Sequence, residues 1–153
     1  MKLEFGYGSG VQAVELPQKN LIGVLESNPM RHKKVGSDAV RDALVHPIGA
    51  PRLRALAKPG QKIAIIASDI SRPVPSYEIL PAVLDELIAA GCRREDVTVV
   101  FALGSHRHHT EEEKRHLAGS AVYDTVCCVD SDPTDCVHMG TTKNGTPVDI
   151  TRV

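Results

Sequence analysis

The feature that most constrains this fold is a run of five apolar residues, positions 63–67, that ends abruptly in polar sequence. An isoleucine-rich run of this length is typical of a strand that is buried on both faces of a sheet. Asp69 and Arg72 follow the run, on a loop that also contains two prolines. Because open α/β sheets bind ligands beyond the carboxyl ends of their strands, the sequence predicts a functional site at these two side chains.

A second apolar run, positions 97–103, also ends in polar residues, with His106 shortly beyond it. Between the two runs, apolar residues recur at helical spacing from position 79 to position 88, and Gly91 follows as a stop signal. The order strand, helix, strand predicts a right-handed βαβ unit with parallel strands. Both polar loops then leave the same edge of the sheet, so we expect Asp69 and His106 to lie at one rim.

The sequence leaves the start of the intervening helix open. Ser76 is a suitable N-cap, but Pro81 lies within the helical pattern. Either the regular helix begins near Leu80, with Pro81 in its first turn, or an earlier start is bent at Pro81.

The remaining patterns predict smaller elements on either side of this unit. They are a hairpin with a glycine-rich turn at 3–16, a strand at 20–25, a helix capped by Ser37 that ends before Pro47, a short helix at 52–58, a helix from the capping box at 110–113 to Gly119, a strand at 125–129 and a hairpin at 137–148. Together they predict one α/β domain, residues 1–153, with a three-layer, Rossmann-like architecture, a mainly parallel central sheet and peripheral β-hairpins.

The charge and the composition of the chain limit the kinds of partner that it is expected to bind. The formal net charge is −1 without a basic block, and aromatic residues make up 3% of the chain, which argues against nucleic-acid binding. No apolar run reaches membrane-spanning length and no hydrophobic signal segment follows Met1, so we expect a cytoplasmic protein that does not bind membranes. The expected partner is therefore a small molecule.

The cysteines at positions 92, 127, 128 and 136 could form two disulfides by count alone. However, Cys127 and Cys128 are adjacent, and the C-x-x-C spacing of metal sites is absent. We therefore expect free thiols, most of them buried.

The histidines that follow the second strand allow two interpretations. His106, His108 and His109 could hold a metal ion, since imidazole is a common ligand, but no cysteine or carboxylate stands at a fixed ligand spacing from them. The alternative, which we favour, is a loop of exposed, solvated histidines before a helix. His32 and His46 are expected to be solvated surface residues.

Three side chains at the predicted rim can do chemistry. His106 follows a glycine and a serine at a strand end, where a sheet can hold an imidazole rigidly for proton transfer. Arg72 offers a forked donor for a carboxylate, and Asp69 offers an acceptor for hydroxyl groups or for Arg72. The alternative is that Asp69 and Arg72 simply pair across a tight loop, and the spacing does not decide between these interpretations.

Several longer motifs are spread over most of the chain. They are S-D-I-S-R-P-V-P at 68–75, F-A-L-G-S-H-R at 101–107, H-T-E-E-E at 109–113, D-P-T-D-C-V-H-M-G-T-T at 132–142 and G-T-P-V-D-I at 145–150. Together they resemble the amino-terminal domain of the nickel-dependent lactate racemase family.

The resemblance implies a two-domain 2-hydroxyacid racemase that uses a nickel pincer nucleotide derived from nicotinic acid. In the family, the D-x-x-R motif contacts cofactor and substrate, and the histidine of the G-[ST]-H-R motif is one of two acid/base histidines. On this chain the implied cofactor-binding residues are Asp69, Ser71 and Arg72, and the implied catalytic residues are His106 and Arg72. The implied reaction interconverts the enantiomers of lactate or another 2-hydroxy acid by reversible hydride transfer to the cofactor, through a 2-keto acid.

The chain also departs from the family. The family's cofactor-attachment lysine, nickel-ligating histidine and second catalytic histidine lie farther along than this sequence reaches, so we assign no metal ligand here. We expect an amino-terminal portion of a longer enzyme, inactive alone, whose partner is the carboxy-terminal remainder. The alternative is a non-catalytic module that binds a carboxylated metabolite or docks another domain. An NAD-dependent dehydrogenase is disfavoured, because no G-x-G-x-x-G follows a strand.

Overall fold

The computed structural model describes residues 1–29 and 34–153. The chain divides into two compact units, residues 1–33 and residues 34–153. His32, which the sequence predicts to be on the surface, lies outside the described residues.

The first unit is built on an antiparallel hairpin. Strand β1 (Lys2–Tyr7) pairs with β2 (Gly10–Glu15) along its full length. Gly8 in the turn has a φ of 56°, which glycine adopts without steric cost. The hairpin predicted from the glycine-rich segment is confirmed.

The strand predicted at 20–25 is wrong. A 3₁₀ turn at Gln18–Asn20 is followed by irregular backbone to position 29, and Ile22 and Leu25 are fully exposed. An apolar run becomes a stable strand only where another strand pairs with its backbone. Within residues 1–29, the two hairpin strands form a two-stranded sheet with each other, which leaves this segment unpaired.

The second unit alternates helices and strands. Its elements are α1 (Gly36–Val45), α2 (Leu53–Leu56), β3 (Ile63–Ser68), α3 (Ser76–Ala89), a 3₁₀ turn (Arg94–Asp96), β4 (Val97–Ala102), α4 (Glu111–Ala118), α5 (Ser120–Tyr123), β5 (Cys127–Asp130), β6 (Cys136–Thr141) and β7 (Pro147–Thr151). The α/β class, with a three-stranded parallel sheet and antiparallel hairpins, is confirmed. The short helix predicted at 52–58 and the hairpin predicted at 137–148 are also present, as α2 and as β6 with β7.

The central sheet contains three parallel strands in the order β3, β4, β5. Ile63 lies opposite Val97, and Ser68 lies opposite Ala102, so β3 and β4 begin and end at the same level. The predicted parallel pairing is therefore confirmed. The strand predicted at 125–129 is β5, which begins two residues later than expected.

The core of this unit lies between one face of the sheet and helices α3, α4 and α5. Three residues of β4 form its centre, because Val97, Val99 and Phe101 are almost completely buried. The helices contribute leucines at helical spacing, namely Leu80, Leu84, Leu87 and Leu117. The central strand is thereby held firmly just before the loop that carries His106.

The other face of the sheet is open at β3. Ile65 packs against the core, whereas the adjacent Ile66 is 66% exposed. The expectation that this apolar run is buried on both faces is therefore wrong. Successive side chains of a strand point to opposite faces, and the helices that form the core pack on the face that carries Ile65.

Helix α1 begins two residues earlier than predicted. Its N-cap is Val35, and Ser37, the expected cap, lies in the first turn. Gly36 has a φ of 57°, so the backbone turns at that residue and the capping position moves away from Ser37. The helix ends at Val45, before Pro47 as predicted.

Helix α3 takes the earlier of the two starts that the sequence allows. It begins at Ser76, with Pro75 as N-cap and no side-chain cap, so Ser76 is a buried first residue rather than a capping residue. Pro81 lies inside the helix, where it lacks the N–H that would bond one turn back. Gly91, with a φ of 88°, follows the helix as the predicted stop. Across the described residues, no helix combines the length and the apolarity needed to cross a membrane.

All four cysteines are free thiols, as expected. Only Cys92 is buried, while Cys127 is exposed and the other two are partly exposed, so the expectation that most are buried is wrong. Cys127 and Cys128 lie on β5, an edge strand, and Cys136 lies on β6 of a two-stranded hairpin, so all three keep access to solvent. Desolvation nevertheless raises the pKa of Cys128 to about 11, which makes this thiol a poor nucleophile at neutral pH.

Two buried carboxylates, Glu86 and Asp96, join elements of this unit through ion pairs. In α3, Glu86 binds the guanidinium groups of Arg52 and Arg54 at 2.6 and 2.5 Å, and the bond from Arg52 contributes most to holding the pKa of Glu86 well below its usual range. Asp96, just before β4, accepts hydrogen bonds from Arg93 and Lys62 at 2.8 and 2.5 Å. These two bonds lower the pKa of Asp96 from 3.8 to about 2.

We expect acid to destabilise this unit as these carboxylates take up protons. Because the folded-state pKa of Asp96 lies below its unfolded value, its contribution to stability is complete above the unfolded pKa and is lost as the pH falls through the folded one. The loss therefore occurs as the pH falls from 3.8 to about 2. Denaturant unfolding at a series of pH values measures the free energy of unfolding across this range. Asp96→Asn should lower the free energy of unfolding at neutral pH and flatten its decrease across this window, and a decrease as steep as that of the wild type would contradict the prediction.

Candidate active site

Three strand ends meet at one edge of the parallel sheet. Asp69 follows β3 directly, His106 lies in the loop after β4, and Asp130 is the last residue of β5. Phe101 of β4 lies opposite Ala67 on one side and Asp130 on the other, so the three strands end at similar levels. The sheet therefore delivers two carboxylates and an imidazole to the same rim.

Asp69 and His106 form a hydrogen-bonded dyad. Nδ1 of His106 bonds to Oδ2 of Asp69, and the Ser71 hydroxyl donates to Oδ1 of Asp69 at 2.8 Å. The Asp69 side chain is 5% exposed, whereas the His106 ring is 48% exposed. The hydrogen bond with His106, followed by that from Ser71, lowers the pKa of Asp69. The carboxylate is therefore ionised at neutral pH and holds the imidazole by Nδ1.

This arrangement leaves Nε2 of His106 available for chemistry. When the neutral ring donates its Nδ1–H to Asp69, the lone pair of the imidazole is on Nε2. If Nε2 accepts a proton, the ring becomes an imidazolium that the adjacent carboxylate stabilises, as in other carboxylate–histidine pairs. The dyad can therefore accept or release a proton at one defined atom.

A cleft of about 280 Å³ lies beside the dyad and is lined by Asp69, Arg72, Gly104 and His106, among others. Arg72 is exposed, and its backbone N–H donates to the Asp69 carbonyl at 3.2 Å, which closes a turn. The Asp69 side chain is bonded to Ser71 and His106, so the pairing of Asp69 with the Arg72 side chain, which the spacing allowed, is not observed. Arg72 thus lines the cleft as a residue with a forked cationic side chain, next to a proton-transfer group.

His109 is the buried member of the histidine group. Its side chain has 0% exposure and packs edge-on against Phe101, with ring centroids 5.5 Å apart. Its Nδ1 lies 2.6 Å from Oδ1 of Asp130. The expectation of exposed, solvated histidines holds for His108 but is wrong for His109, because Asp130 supplies a buried polar partner.

Asp130 is the site residue that the sequence analysis missed. Its carboxylate also accepts the backbone N–H of His109 at 2.7 Å, and its side chain is only 6% exposed. The available signal was its position directly after the apolar residues of a predicted strand. The same strand-end rule that identified Asp69 and His106 would have placed Asp130 at this rim.

The loop between β4 and α4 is held at its far end by the predicted capping box, which is confirmed. Thr110 Oγ1 accepts the Glu113 N–H at 3.2 Å, and the Glu113 carboxylate accepts the Thr110 N–H at 2.9 Å. Arg107 adds two bonds to the same carboxylate, at 2.7 and 2.8 Å. These contacts fix the segment that carries His106 from the helix side.

The histidines of this loop do not converge on one point. His106 binds Asp69, His109 binds Asp130, and His108 Nδ1 lies 3.6 Å from Asp130 Oδ2. Within residues 1–29 and 34–153, no group of three or more His, Cys, Asp or Glu side chains is arranged to hold a metal ion.

Comparison with protein families identifies the chain. A family model described as lactate racemase N-terminal domain matches residues 7–153. The chain belongs to this family. The resemblance drawn from the motifs at 68–75 and 101–107 is confirmed, and the rim described above belongs to a lactate racemase N-terminal domain.

Individual relatives agree with this assignment. The chain is 33% identical over 156 residues to the lactate racemase of Thermoanaerobacterium thermosaccharolyticum, and 30% identical over 158 residues to that of Lactiplantibacillus plantarum. The solved structure of the lactate racemase apoprotein from the former organism matches with a TM-score of 0.78 and 32% identity. Each match covers 99% of this chain but only 36% or 37% of the relative, so this lactate racemase N-terminal domain spans just over a third of their length.

Proposed function

We propose that this domain forms one side of the active site of a 2-hydroxyacid (lactate) racemase, with His106 as one of two acid/base groups. The observation that carries the proposal is the Asp69–His106 dyad beside a cleft that also presents Arg72. A racemase of 2-hydroxy acids must move the hydroxyl proton of a substrate that bears a carboxylate. An imidazole and a guanidinium are suited to these two tasks. The relatives named lactate racemase support the substrate class.

His106 accepts the substrate's hydroxyl proton at Nε2 and returns it in the reverse direction. Asp69 keeps the ring in the tautomer that has its lone pair on Nε2, and it stabilises the imidazolium that forms. Ser71 donates to the other oxygen of the same carboxylate, which fixes the plane of Asp69. Each of the three side chains therefore has a separate part in one proton transfer.

Arg72 binds the substrate carboxylate through its forked N–H groups. It lies on the same short loop as Asp69 and lines the same cleft as His106. The adjacent Pro73 restricts the backbone conformation of Arg72. A substrate held in this way presents its carbon-bound hydroxyl toward the dyad.

The proposal includes a nickel pincer nucleotide in the complete enzyme. When bound, this cofactor would supply reversible acceptance of hydride from C2 of the hydroxy acid. The rim fits the organic part of such a group, because Ser71 and Arg72 are exposed and can bind its polar atoms, while Asp69 holds Ser71 in place. Among the described residues no group of three or more His, Cys, Asp or Glu side chains is arranged to hold a metal ion. In line with the family resemblance, the proposal places the nickel ligand in the carboxy-terminal remainder.

Two preparations test the proposed function. The product of the complete reading frame that contains this chain, coexpressed with the enzymes that make the cofactor, should contain nickel and convert each lactate enantiomer into the other. The 153-residue chain alone, coexpressed in the same way, should carry no covalent nucleotide by intact-mass measurement and should not racemise lactate. A stable adduct on the chain alone would overturn the assignment of the attachment site to the remainder. A nickel-loaded complete product that racemises no 2-hydroxy acid would favour the non-catalytic binding module.

A further inference from the structure

A second carboxylate–histidine pair lies behind the dyad, and the proposed mechanism does not use it. Asp130 accepts two hydrogen bonds from His109, one from Nδ1 at 2.6 Å and one from the backbone N–H at 2.7 Å. Both side chains are buried, with exposures of 0% for His109 and 6% for Asp130. Because these side chains are shielded from solvent, we expect any part they have in the site to act through their neighbours.

The other nitrogen of the His109 ring binds the loop that carries the dyad. The backbone N–H of Ile70 donates to Nε2 of His109 at 3.1 Å. Ile70 lies between Asp69, which binds His106, and Ser71, which binds Asp69. The bond therefore fixes the peptide group next to the Asp69 carboxylate.

These contacts determine the protonation state of the ring in this arrangement. A backbone N–H can only donate, so Nε2 of His109 must carry a lone pair, and the carboxylate of Asp130 can only accept from Nδ1. The ring is therefore neutral, with its proton on Nδ1. The edge-on packing against Phe101, at an interplanar angle of 78°, keeps both nitrogens directed at their partners.

We propose that His109 and Asp130 are positioning residues for the Asp69–His106 dyad. Asp130, at the end of β5, orients His109, and His109 holds the Ile70 peptide so that the Asp69 carboxylate stands where His106 can bond to it. The effect on turnover rests on the proposed function, whereas the effect on the dyad can be measured independently of it.

A purely structural role makes a different prediction. If His109 only gave Asp130 a donor and filled space beside Phe101, its bond to Asp130 would matter and its bond to Ile70 would not. Two substitutions separate these cases. His109→Gln can place an amide oxygen near the position of Nε2 and accept from Ile70, but it loses the ring donor to Asp130. His109→Asn can donate to Asp130 but is too short to reach Ile70.

Turnover of the complete reading-frame product, loaded with nickel, is the first readout. His109→Asn should lower kcat about a hundredfold, since misplacing a catalytic group by about 1 Å has an effect of that order. His109→Gln should lower kcat far less. Because it leaves the buried Asp130 carboxylate without its ring donor, the Gln variant should melt at a lower temperature than the Asn variant. If kcat per folded molecule were as high in the Asn variant as in the Gln variant, the positioning role would be overturned.

Nuclear magnetic resonance of the same protein is the second readout and does not require racemisation. In the wild type, the ¹⁵N signals of His109 should show a protonated Nδ1 and an unprotonated Nε2. The proton that His106 donates to Asp69 should give a downfield signal that survives in His109→Gln and is lost or shifted in His109→Asn. A protonated Nε2 on His109, or a His106 signal unchanged in the Asn variant, would overturn the proposal even if the wild type racemised lactate normally. If the wild type racemised nothing, the proposed function would fail while these signals still decided the positioning role.

The chain supplies a control pair of the same chemistry on the hairpin of β6 and β7. Nδ1 of His138 in β6 lies 2.8 Å from Asp149 of β7, and both side chains are about half exposed. His138→Asn and His138→Gln make the same chemical changes in a histidine–carboxylate pair that is not bonded to the rim. They should change neither kcat nor the His106 signal, and an equal effect there would show that the changes at His109 are not specific.

Discussion

His106→Ala should lower racemisation in both directions by about a hundredfold to ten-thousandfold, the usual effect of removing a positioned acid/base group. The substitution deletes Nε2, the atom that the bond from Nδ1 to Asp69 leaves free to take the substrate's proton. Both directions should be slowed, because in the proposed mechanism each conversion uses one of the two groups as base and the other as acid. Nickel content should be unchanged, since His106 bonds to a carboxylate and belongs to no metal-binding group among the described residues.

The measurement is the initial rate from each lactate enantiomer in the complete reading-frame product, with nickel content determined on the same samples. His46→Ala is a suitable control, because His46 is a 73% exposed histidine at the end of α1, outside the rim. It should leave the rates within the error of the wild type. A near-normal rate for His106→Ala with normal nickel would rule out the catalytic role, and a small loss of stability alone would mark His106 as an ordinary loop residue.

Asp69→Asn should have the second large effect, although it keeps the size and shape of the side chain. An asparagine amide can present its NH₂ group to Nδ1 of His106, which forces the ring proton onto Nε2 and removes the lone pair that accepts the substrate's proton. In serine protease triads the equivalent change lowers kcat about ten-thousandfold through the wrong tautomer. The His106 ring is half exposed and can reorient, so we expect a decrease nearer the lower end of about a hundredfold to ten-thousandfold.

A comparison of kcat and KM shows whether Asp69 acts through His106. If it does, kcat should fall in Asp69→Asn while the KM for lactate changes little, because Arg72 and its exposed guanidinium remain. Asp85→Asn provides the control, since Asp85 is an exposed aspartate that pairs with Arg41 at 3.1 Å. An Asp69→Asn variant that kept normal kcat but bound less cofactor would contradict the orienting role and support direct cofactor contact instead.

The local elements of this fold could be predicted wherever a short pattern determines the backbone. The capping box at Thr110 and Glu113, the glycine turn at Gly8 and the order strand, helix, strand around α3 each depend on residues close in sequence. The predictions were wrong where contacts with residues distant in sequence determine the structure. Among the described residues, the apolar run at 20–25 pairs with no strand. Ile66 is exposed because the helices pack on the opposite face of β3.

The location of the candidate site, at the ends of the parallel strands, could be predicted from the sequence. The rule that ligand sites lie beyond the carboxyl ends of parallel strands brought Asp69 and His106 to one rim, as observed. It could not show that Asp69 bonds to His106 rather than to Arg72, or that His109 turns inward, since both depend on side-chain directions across three strands. Asp130 was within reach of the same rule but was not considered. The catalytic and cofactor-binding roles of these residues stay predictions until the substitutions are measured.

The dyad joins residues that are 37 positions apart, on loops that follow two different parallel strands. Parallel strands cannot pair through a tight turn, so this contact forms only after the whole crossover through α3 has been placed. Contacts of large sequence separation form slowly, because the entropy of closing the loop must be overcome first. A folding intermediate that already contained the hairpins and the capped helix α4 would still lack the pair. The signal of the proton between His106 and Asp69 would therefore appear late in refolding, together with the parallel sheet.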